Sequence, residues 1–217
     1  MAKKTIYVIG AGSGLGNHVA KKFGENDFRV VLMARNEKSL MNYQKEFEKL
    51  KIETYIYPVD VSNNLLFVQA LESLQLKIGT PDIVVYNIGV TTLDEQVEIN
   101  DSLLLERYQL DVVSGFSCLD YFRKSNDFIN KNGTIIFTGG GVALNPSPRF
   151  LPLSMDKAAL RAMVYALHDE LIKENIFVGL ITICGGIKTN THFDPALIAN
   201  EYWKMYHDRK QIEIIYK

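Results

Sequence analysis

Short apolar runs alternate with longer stretches of helical spacing along the whole chain. The first run, residues 6–9, is rich in β-branched side chains and stops at Gly10. The segment after it places Leu15, Val19 and Phe23 on one helical stripe. The same reasoning predicts further strands at residues 29–33, 53–57, 82–86, 134–138, 176–183 and 211–216. It predicts further helices at residues 38–50, 62–77, 102–128, 152–174 and 195–206, with Ser62 as an N-cap.

Apolar strands separated by helices are typical of a parallel sheet that is covered on both faces. The pattern predicts an α/β fold with a doubly wound (Rossmann), mostly parallel, seven-stranded sheet and helices on both faces. No linker, low-complexity tract or internal repeat interrupts it, so one domain is expected over residues 1–217. Ligands of such sheets bind beyond the carboxyl ends of the strands, so the candidate functional residues are expected at these ends.

A glycine-rich loop lies between the first strand and the first helix. Glycines permit a tight turn and a close approach of a pyrophosphate, which the free N–H groups at the helix start then bind. Such a loop also occurs where a strand simply meets a helix, but its position after a strand and before a helix favours the phosphate cradle. The predicted cofactor-binding residues of this loop are Gly10, Gly12, Ser13, Gly14, Leu15 and Gly16.

Three more strand ends carry candidate cofactor contacts. Arg35 follows the second strand, where an acid would otherwise hold ribose hydroxyls, and a guanidinium there favours the 2′-phosphate of NADP over NAD. The alternative is an exposed arginine that opens a helix. Asp60 and Val61 follow the third strand, where Asp60 either accepts a hydrogen bond from an adenine or forms a capping turn. Asn87 and Gly89 end the fourth strand, at a ribose contact or a plain turn.

Composition narrows the function classes. The chain has 217 residues, of which 47% are hydrophobic, and a formal net charge of −1, which argues against a nucleic-acid partner held on a basic face. Its four histidines and two cysteines show no metal-ligand spacing, so no metal is expected. No apolar run approaches the ~20 residues of a membrane span, and the first strand follows the start too closely for a targeting peptide. We therefore expect a cytoplasmic location and no membrane partner.

Together these motifs resemble the short-chain dehydrogenase/reductase family over nearly the whole chain. Gly10, Gly14 and Gly16 match its cofactor loop, and the segments that resemble its other cofactor motifs are Ala34-Arg35-Asn36 (the NADP-preferring form), Asp60-Val61, Tyr86-Asn87-Ile88-Gly89 and Cys184-Gly185-Gly186-Ile187-Lys188-Thr189. The last segment lies over the nicotinamide in that family. The resemblance therefore implies that Ile187 and Thr189 contact the cofactor.

The same resemblance implies an altered catalytic set. The family uses a Tyr-x-x-x-Lys pair, and here Lys157 is present but Leu153 occupies the tyrosine position. Gly140 occupies the position of the substrate-orienting serine, and Asp111 that of the helix asparagine. Lys157 and Asp111 are thus the candidate catalytic residues, and we expect an ion pair between them. Lys157 is also a predicted ribose ligand, the alternative being a solvated helix lysine.

Because Leu153 and Gly140 replace the tyrosine and the serine, both an enzyme and a non-catalytic binding protein must be considered. Hydride transfer to a carbonyl develops an oxyanion that must be stabilised and protonated, and leucine and glycine can do neither. One hypothesis is an NADP(H)-dependent oxidoreductase that acts on a small carbonyl or alcohol with non-standard or impaired catalysis. The alternative is a non-catalytic NADP(H)-binding sensor or partner subunit, and a scaffold without cofactor is least favoured. Substitute groups near the strand ends, for each of which a structural role is the favoured alternative, are Thr138, Ser154, Asp111, Tyr86 and His192.

The family resemblance also implies self-association. In that family the equivalents of the two long helices, residues 102–128 and 152–174, often form a dimer or tetramer interface. Both segments carry apolar residues on more than one side. A homodimer or homotetramer through these helices is therefore expected.

Overall fold

A computed structural model describes residues 3–217 and contains one seven-stranded sheet. The strands are β1 (Thr5–Ile9), β2 (Arg29–Ala34), β3 (Thr54–Pro58), β4 (Ile83–Tyr86), β5 (Thr134–Gly140), β6 (Phe177–Ile183) and β7 (Glu213–Tyr216). Their order is β3-β2-β1-β4-β5-β6-β7, and every neighbouring pair is parallel. The sheet is the predicted one, with β7 at its edge.

Helices connect the strands and cover both faces of the sheet. They are α1 (Leu15–Gly24), α2 (Glu37–Lys49), α3 (Asn64–Ile78), α4 (Asp101–Tyr108), α5 (Ser114–Arg123), α6 (Asn126–Asn130), α7 (Leu151–Lys173) and α8 (Pro195–Asp208). No helix in the described range 3–217 has the length and apolarity that crossing a bilayer requires.

The core consists of two layers, one on each face of the sheet. Successive side chains of a strand point to opposite faces. In β1, Tyr7 and Ile9 pack in the layer beneath α3, α5 and α7, whereas Ile6 and Val8 pack in the layer beneath α1, α2 and α8. All four side chains are buried. The strands are therefore apolar at consecutive positions, as the sequence pattern required, and the doubly wound fold class is confirmed.

The predicted helix over residues 102–128 is interrupted, which is a correction. A single π-turn, Gln109–Val113, separates α4 from α5, and α5 ends before the short α6. The Tyr86 hydroxyl, from β4, donates to the Leu110 carbonyl at 2.7 Å, and the Ser114 hydroxyl donates to it at 2.9 Å. These side-chain donors stabilise the altered backbone pairing, and such turns are frequent at functional sites.

The start of α3 also differs from the prediction. The N-cap is Asn63, whose side chain accepts a hydrogen bond from the Leu66 backbone, and not Ser62. The Ser62 backbone N–H is instead bound by Asp60 Oδ1 at 2.9 Å. Because Ser62 takes part in this local turn, Asn63 serves as the N-cap and the helix begins one position later than predicted.

Candidate cofactor and active site

The glycine loop lies at the carboxyl end of β1. This strand lies between β2 and β4 in the sheet, at the point where the strand order reverses. Gly10 has a φ of +89°, and a Cβ there would lie 2.3 Å from the Asn87 carbonyl oxygen. A Cβ on Gly16 would lie 2.3 Å from the Gly10 carbonyl oxygen. Only glycine fits at these two positions, and their conformation sets the shape of the loop.

The middle of the loop is open. A Cβ on Gly12 or Gly14 would meet no protein atom within 4 Å, and Ser13 between them is exposed. Gly14 is the N-cap of α1 and provides no side-chain cap. The Asn17 N–H donates to the Gly12 carbonyl at 3.2 Å, so the N–H groups of Leu15 and Gly16 are the ones that an anion at this helix start would use. The Leu15 side chain is buried, so only its backbone can serve a ligand.

A hydrogen-bonded chain fastens this loop to the neighbouring strands. Asn87 Nδ2 donates to the Gly10 carbonyl at 3.0 Å, and the Thr138 hydroxyl donates to Asn87 Oδ1 at 2.9 Å. The Thr138 hydroxyl also lies 2.7 Å from the Tyr202 hydroxyl of α8. Asn87, predicted as a cofactor contact, thus also holds the backbone of the cradle in place.

Lys157 lies beside the end of β4. It is only 5% exposed, and its Nζ donates to the Ile88 carbonyl at 2.7 Å and to the Thr138 carbonyl at 3.2 Å. A Cβ on Gly89 would lie 3.1 Å from Nζ, so the small residue at position 89 makes room for the ammonium. The alternative of a solvated helix lysine is therefore wrong.

Asp111 completes this cluster from the π-turn. Its Oδ1 lies 3.7 Å from Lys157 Nζ, which is the ion pair expected from the sequence. The side chain is 1% exposed, and neither carboxylate oxygen accepts a hydrogen bond within residues 3–217. A buried carboxylate with unused acceptors can receive further donors from a ligand, a water or a protonated neighbour.

The outer strand ends form the other side of the candidate site. Arg35 is exposed and pairs with no carboxylate in the described part of the chain. Hydrogen bonding to the Ser62 backbone, and to a smaller extent the charge of Arg35, lower the pKa of Asp60. Asp60 therefore forms a local turn just before α3, whose N-cap is Asn63, and Asp60 itself is exposed. Val61 is buried, so its contribution is limited to its backbone.

Ile187 and Thr189 follow β6 in an exposed segment. Within residues 3–217, no hydrogen bond joins them to the Lys157 cluster. The segment is tied instead to its own neighbours, since Lys188 N donates to the Phe193 carbonyl at 3.1 Å and His192 stacks on Tyr216 of β7 with ring centroids 4.8 Å apart. The cofactor role of Ile187 and Thr189 stays a prediction.

Leu153 and Gly140 flank the Lys157 cluster and bring no proton donor to it. The substitute groups considered from the sequence have structural partners: Ser154 Oγ donates to the Phe150 carbonyl at 2.6 Å, Tyr86 binds the π-turn, and Thr138 supports Asn87. His192 is exposed and bonds the Lys217 carbonyl. Structural roles account for these four, and the fifth substitute group, Asp111, forms the ion pair with Lys157.

Asp156 is the polar residue of this region that sequence reasoning missed. It is 3% exposed and lies on α7 between Leu153 and Lys157. Its spacing in the sequence indicates that it is buried. Asp156 lies four and eight residues before the buried Leu160 and Val164 and therefore shares their helical stripe. An acid on an apolar stripe marks either a paired structural group or a functional one.

Residues 4–195 match the family model for short chain dehydrogenases, and the chain therefore belongs to this family of oxidoreductases. Among its relatives are the human short-chain dehydrogenase/reductase 3, 24% identical over 192 residues, and the NADPH-dependent 1-acyldihydroxyacetone phosphate reductase of Saccharomyces cerevisiae, 25% identical over 189 residues. These alignments cover 88% and 87% of this chain but only 60% and 62% of the relatives. The chain thus spans about three fifths of the length of these curated relatives.

Solved structures support the same fold. An alcohol dehydrogenase from Thermococcus sibiricus, complexed with 5-hydroxy-NADP, superimposes with a TM-score of 0.85 at 18% identity. The match covers 98% of this chain and 95% of that one. At this identity the likeness concerns the fold, and the chemistry of this chain must be argued from its own residues.

Proposed function

We propose that this protein binds NADP(H) and transfers a hydride between it and a small carbonyl or alcohol. The observation that carries the proposal is the open glycine cradle at the sheet's switch point. Gly10 and Gly16 shape it through close backbone contacts, while the positions between them face unfilled space. Membership of an oxidoreductase family supports the reaction class, and the NADPH-dependent relative supports the cofactor.

The residues present fit such a dinucleotide. The loop from Gly10 to Gly16 would hold the pyrophosphate, Arg35 the 2′-phosphate, and Asp60 and Val61 the adenine. The residues proposed for the nicotinamide half are Asn87, Gly89, Lys157, Ile187 and Thr189. When bound, the nicotinamide supplies or accepts a hydride.

The protein's own part in the reaction centres on Lys157. Its ammonium is fixed by two backbone carbonyls, and it would bind the ribose while its positive charge favours an oxyanion forming nearby. Asp111 forms an ion pair with it at 3.7 Å. We propose these two residues as the catalytic pair, with Asp111 acting through the lysine.

A second candidate function is favoured by Leu153 and Gly140. Neither side chain can protonate an alkoxide or orient a carbonyl oxygen, and losing a positioned proton donor costs about 10²–10⁴-fold in rate. A protein with the cradle but without this donor would bind NADP(H) and serve as a sensor or partner subunit. Turnover of a carbonyl panel in the presence of NADPH separates the two candidates.

The first experiment is a fluorescence titration with NADPH and with NADH. We expect tighter binding of NADPH, and Arg35→Gln should weaken NADPH by about 10–100-fold while leaving NADH unchanged, since a charge-assisted hydrogen bond contributes about 1.5–3 kcal/mol. Lys38→Gln, which removes an exposed positive charge three residues away, is the matched control. Equal loss of both nucleotides in Arg35→Gln would contradict the 2′-phosphate assignment. No binding of either nucleotide would refute the proposed function.

We also propose that the protein forms a homodimer or homotetramer through α4, α5 and α7. These helices leave large apolar side chains exposed, and the exposed positions are Leu105, Tyr108, Phe116, Leu151, Met155, Tyr165 and Ile172. On α7 they recur at the spacing of one helix face, and a contiguous apolar face of this kind commonly marks an interface. The expected cytoplasmic location stays a prediction.

A further inference from the structure

Asp156 has no role in the function proposed so far. It is only 3% exposed, because it lies on the buried stripe of α7. Its Oδ2 atom is buried and has no hydrogen-bond partner in the described chain. An ionised carboxylate in such a place carries a large desolvation cost. The group therefore needs either a partner or a proton.

The surroundings of Asp156 favour the proton. Burial and then the charge of Asp111 raise its pKa to about 7, against the opposing influence of Lys157 and Arg107. The buried groups are two carboxylates and one ammonium, so a proton on Asp156 leaves Asp111 and Lys157 as a neutral pair. Asp94 is a further charged residue near Asp156, because both line one small cavity together with Arg107. Near neutral pH, Asp156 can therefore both hold and release a proton.

A small cavity places this carboxyl group beside the altered catalytic position. Leu153 and Asp156 line it together, with Thr92, Val90 and Arg107 among the other walls. The cavity offers a volume of about 10 Å³ to the centre of a water molecule, which is enough for one water. The polar residues among its walls are Thr92, Asp94, Arg107 and Asp156, and a water held there needs two or more such partners.

We propose that Asp156 replaces the missing tyrosine as the proton source, and that its proton reaches the substrate oxygen through one water in this cavity. The inference rests on the proposed NADP(H)-dependent reaction. In the reductive direction, hydride addition to the carbonyl carbon leaves the π-electron pair on oxygen. That oxygen takes a proton from the water, the water takes one from the Asp156 carboxyl group, and a carboxylate remains. Solvent returns the proton, and the oxidative direction runs through the same groups in reverse.

The cluster is suited to both forms of the carboxyl group. When Asp156 releases its proton, Lys157 on the next position of α7 and Arg107 on α4 provide positive charge, as their opposing influence on its pKa indicates. When it holds the proton, the unused oxygens of Asp111 offer acceptors in the same buried region. Asp111 thus raises the proton affinity of Asp156 and positions Lys157.

The first test needs no substrate. In protein labelled with carbon-13 at aspartate side chains and assigned by through-bond connectivity, the Asp156 carboxyl carbon should titrate near neutral pH. A titration of Asp156 near pH 4, the ordinary value for an aspartate side chain, overturns the proposal, whatever the protein does with NADPH.

The second test is turnover of a panel of aldehydes and ketones with NADPH. Asp156→Asn should lower kcat by about 10²–10⁴-fold with KM for the carbonyl and affinity for NADPH unchanged. The wild-type reduction rate should fall as pH rises through about 7, and this step should be absent from the variant. Asp169→Asn is the control and should behave as the wild type.

The outcomes separate this inference from the function on which it rests. An Asp156→Asn variant with wild-type kcat and pH profile overturns the proton relay and leaves the oxidoreductase. A wild-type protein that binds NADPH but reduces no member of the panel also overturns the relay, and it supports the non-catalytic binding function. Failure to bind NADPH refutes the proposed function itself, which the nuclear magnetic resonance titration does not test.

Discussion

Restoring the tyrosine and serine should increase turnover and should free the protein from its need for Asp156. The change is Gly140→Ser together with Leu153→Tyr. At position 140 the backbone is extended, with φ −139° and ψ 146°, and a Cβ would lie 3.5 Å from Lys157 Cγ and 3.6 Å from Val142 Cγ2. These are ordinary van der Waals distances, so a serine enters without displacing its neighbours.

Position 153 also accepts the larger side chain. Leu153 is partly buried in the first turn of α7, and it precedes Lys157 by four residues, so both lie on one helix face. It lines the cavity that has room for one water. We expect a tyrosine side chain to extend into that space, one helical turn before the lysine whose ammonium is fixed by the Ile88 carbonyl at 2.7 Å.

The expected magnitude follows from the groups that are added. A positioned proton donor contributes about 10²–10⁴-fold, and one oxyanion hydrogen bond about 10²–10³-fold. Because Asp156 already supplies part of the proton transfer, we expect the double variant to exceed the wild type by about 10²-fold in kcat at pH 7. In this background Asp156→Asn should cost less than about 10-fold, whereas alone it costs about 10²–10⁴-fold.

The assay is NADPH consumption with a panel of aldehydes and ketones, supported by thermal unfolding and an NADPH titration of each variant. The single variants Gly140→Ser and Leu153→Tyr separate carbonyl orientation from proton transfer. A double variant that folds, binds NADPH as the wild type does and reduces nothing faster would refute the assignment of these two positions. A continued requirement for Asp156 beside the new tyrosine would refute the relay that it is proposed to replace.

Four further predictions test the cradle, the buried acid and the helix surface. Ser13→Asp should weaken NADPH binding by on the order of 10²-fold, because it brings a carboxylate to the phosphate cradle, whereas Ser13→Asn should not, as fluorescence titration will show. Gly16→Ala should lower the free energy of unfolding in urea by about 1–3 kcal/mol or more, because its Cβ would lie 2.3 Å from a backbone oxygen. The pKa of Asp156 is about 7 in the folded protein and 3.8 in the unfolded chain, so the folded protein binds the proton more tightly. The free energy of unfolding should therefore fall as pH rises between these values, by at most about 1.4 kcal/mol per pH unit. Asp156→Asn should flatten this pH profile, as measured by urea unfolding. Phe116→Asp should convert the oligomer to monomer in light scattering, whereas Leu76→Asp, at an exposed position of α3, should leave it unchanged.

Each of these has a control and a contrary result. Gly12→Ala should leave stability within about 0.5 kcal/mol, since no protein atom lies within 4 Å of its Cβ, and equal losses at Gly12 and Gly16 would contradict the packing argument. Equal weakening of NADPH by both Ser13 variants would mean that bulk and not charge is responsible. A stability profile of Asp156→Asn that still falls from pH 4 to 7 would assign the slope to another group. A wild-type monomer would refute the helix interface.

The fold could be predicted from the sequence because its signals are local. Buried parallel strands require continuous apolar runs, and the helices between them require apolar stripes, so both can be recognised without knowing their neighbours. The cradle follows the same logic, because Gly10 and Gly16 are dictated by backbone contacts within and beside the loop. The position of Lys157 one helical turn after Leu153 is likewise fixed by helix periodicity.

The features that were missed depend on contacts between distant parts of the chain. The π-turn forms where Tyr86 of β4 donates a hydrogen bond to a carbonyl 24 residues later, and helix periodicity carries no sign of this. The buried state of Asp156 depends on the approach of α4 and the π-turn to α7. The N-cap at Asn63 depends on a local turn in which Asp60 accepts from the Ser62 N–H, while Asn63 accepts from the Leu66 N–H, and residue type alone does not decide between Ser62 and Asn63.

The retention of Lys157 without its tyrosine has a physical reason in its partners. Its Nζ binds the Ile88 and Thr138 carbonyls, which are backbone groups that no substitution at positions 140 or 153 removes. The lysine therefore keeps its place through the strand ends, independently of the lost catalytic side chains. Burying that ammonium beside one carboxylate gives a neutral pair, and a second buried carboxylate makes the region favour one additional proton. The proposed proton relay depends on this second carboxylate, which lies three residues after the position that lacks the tyrosine.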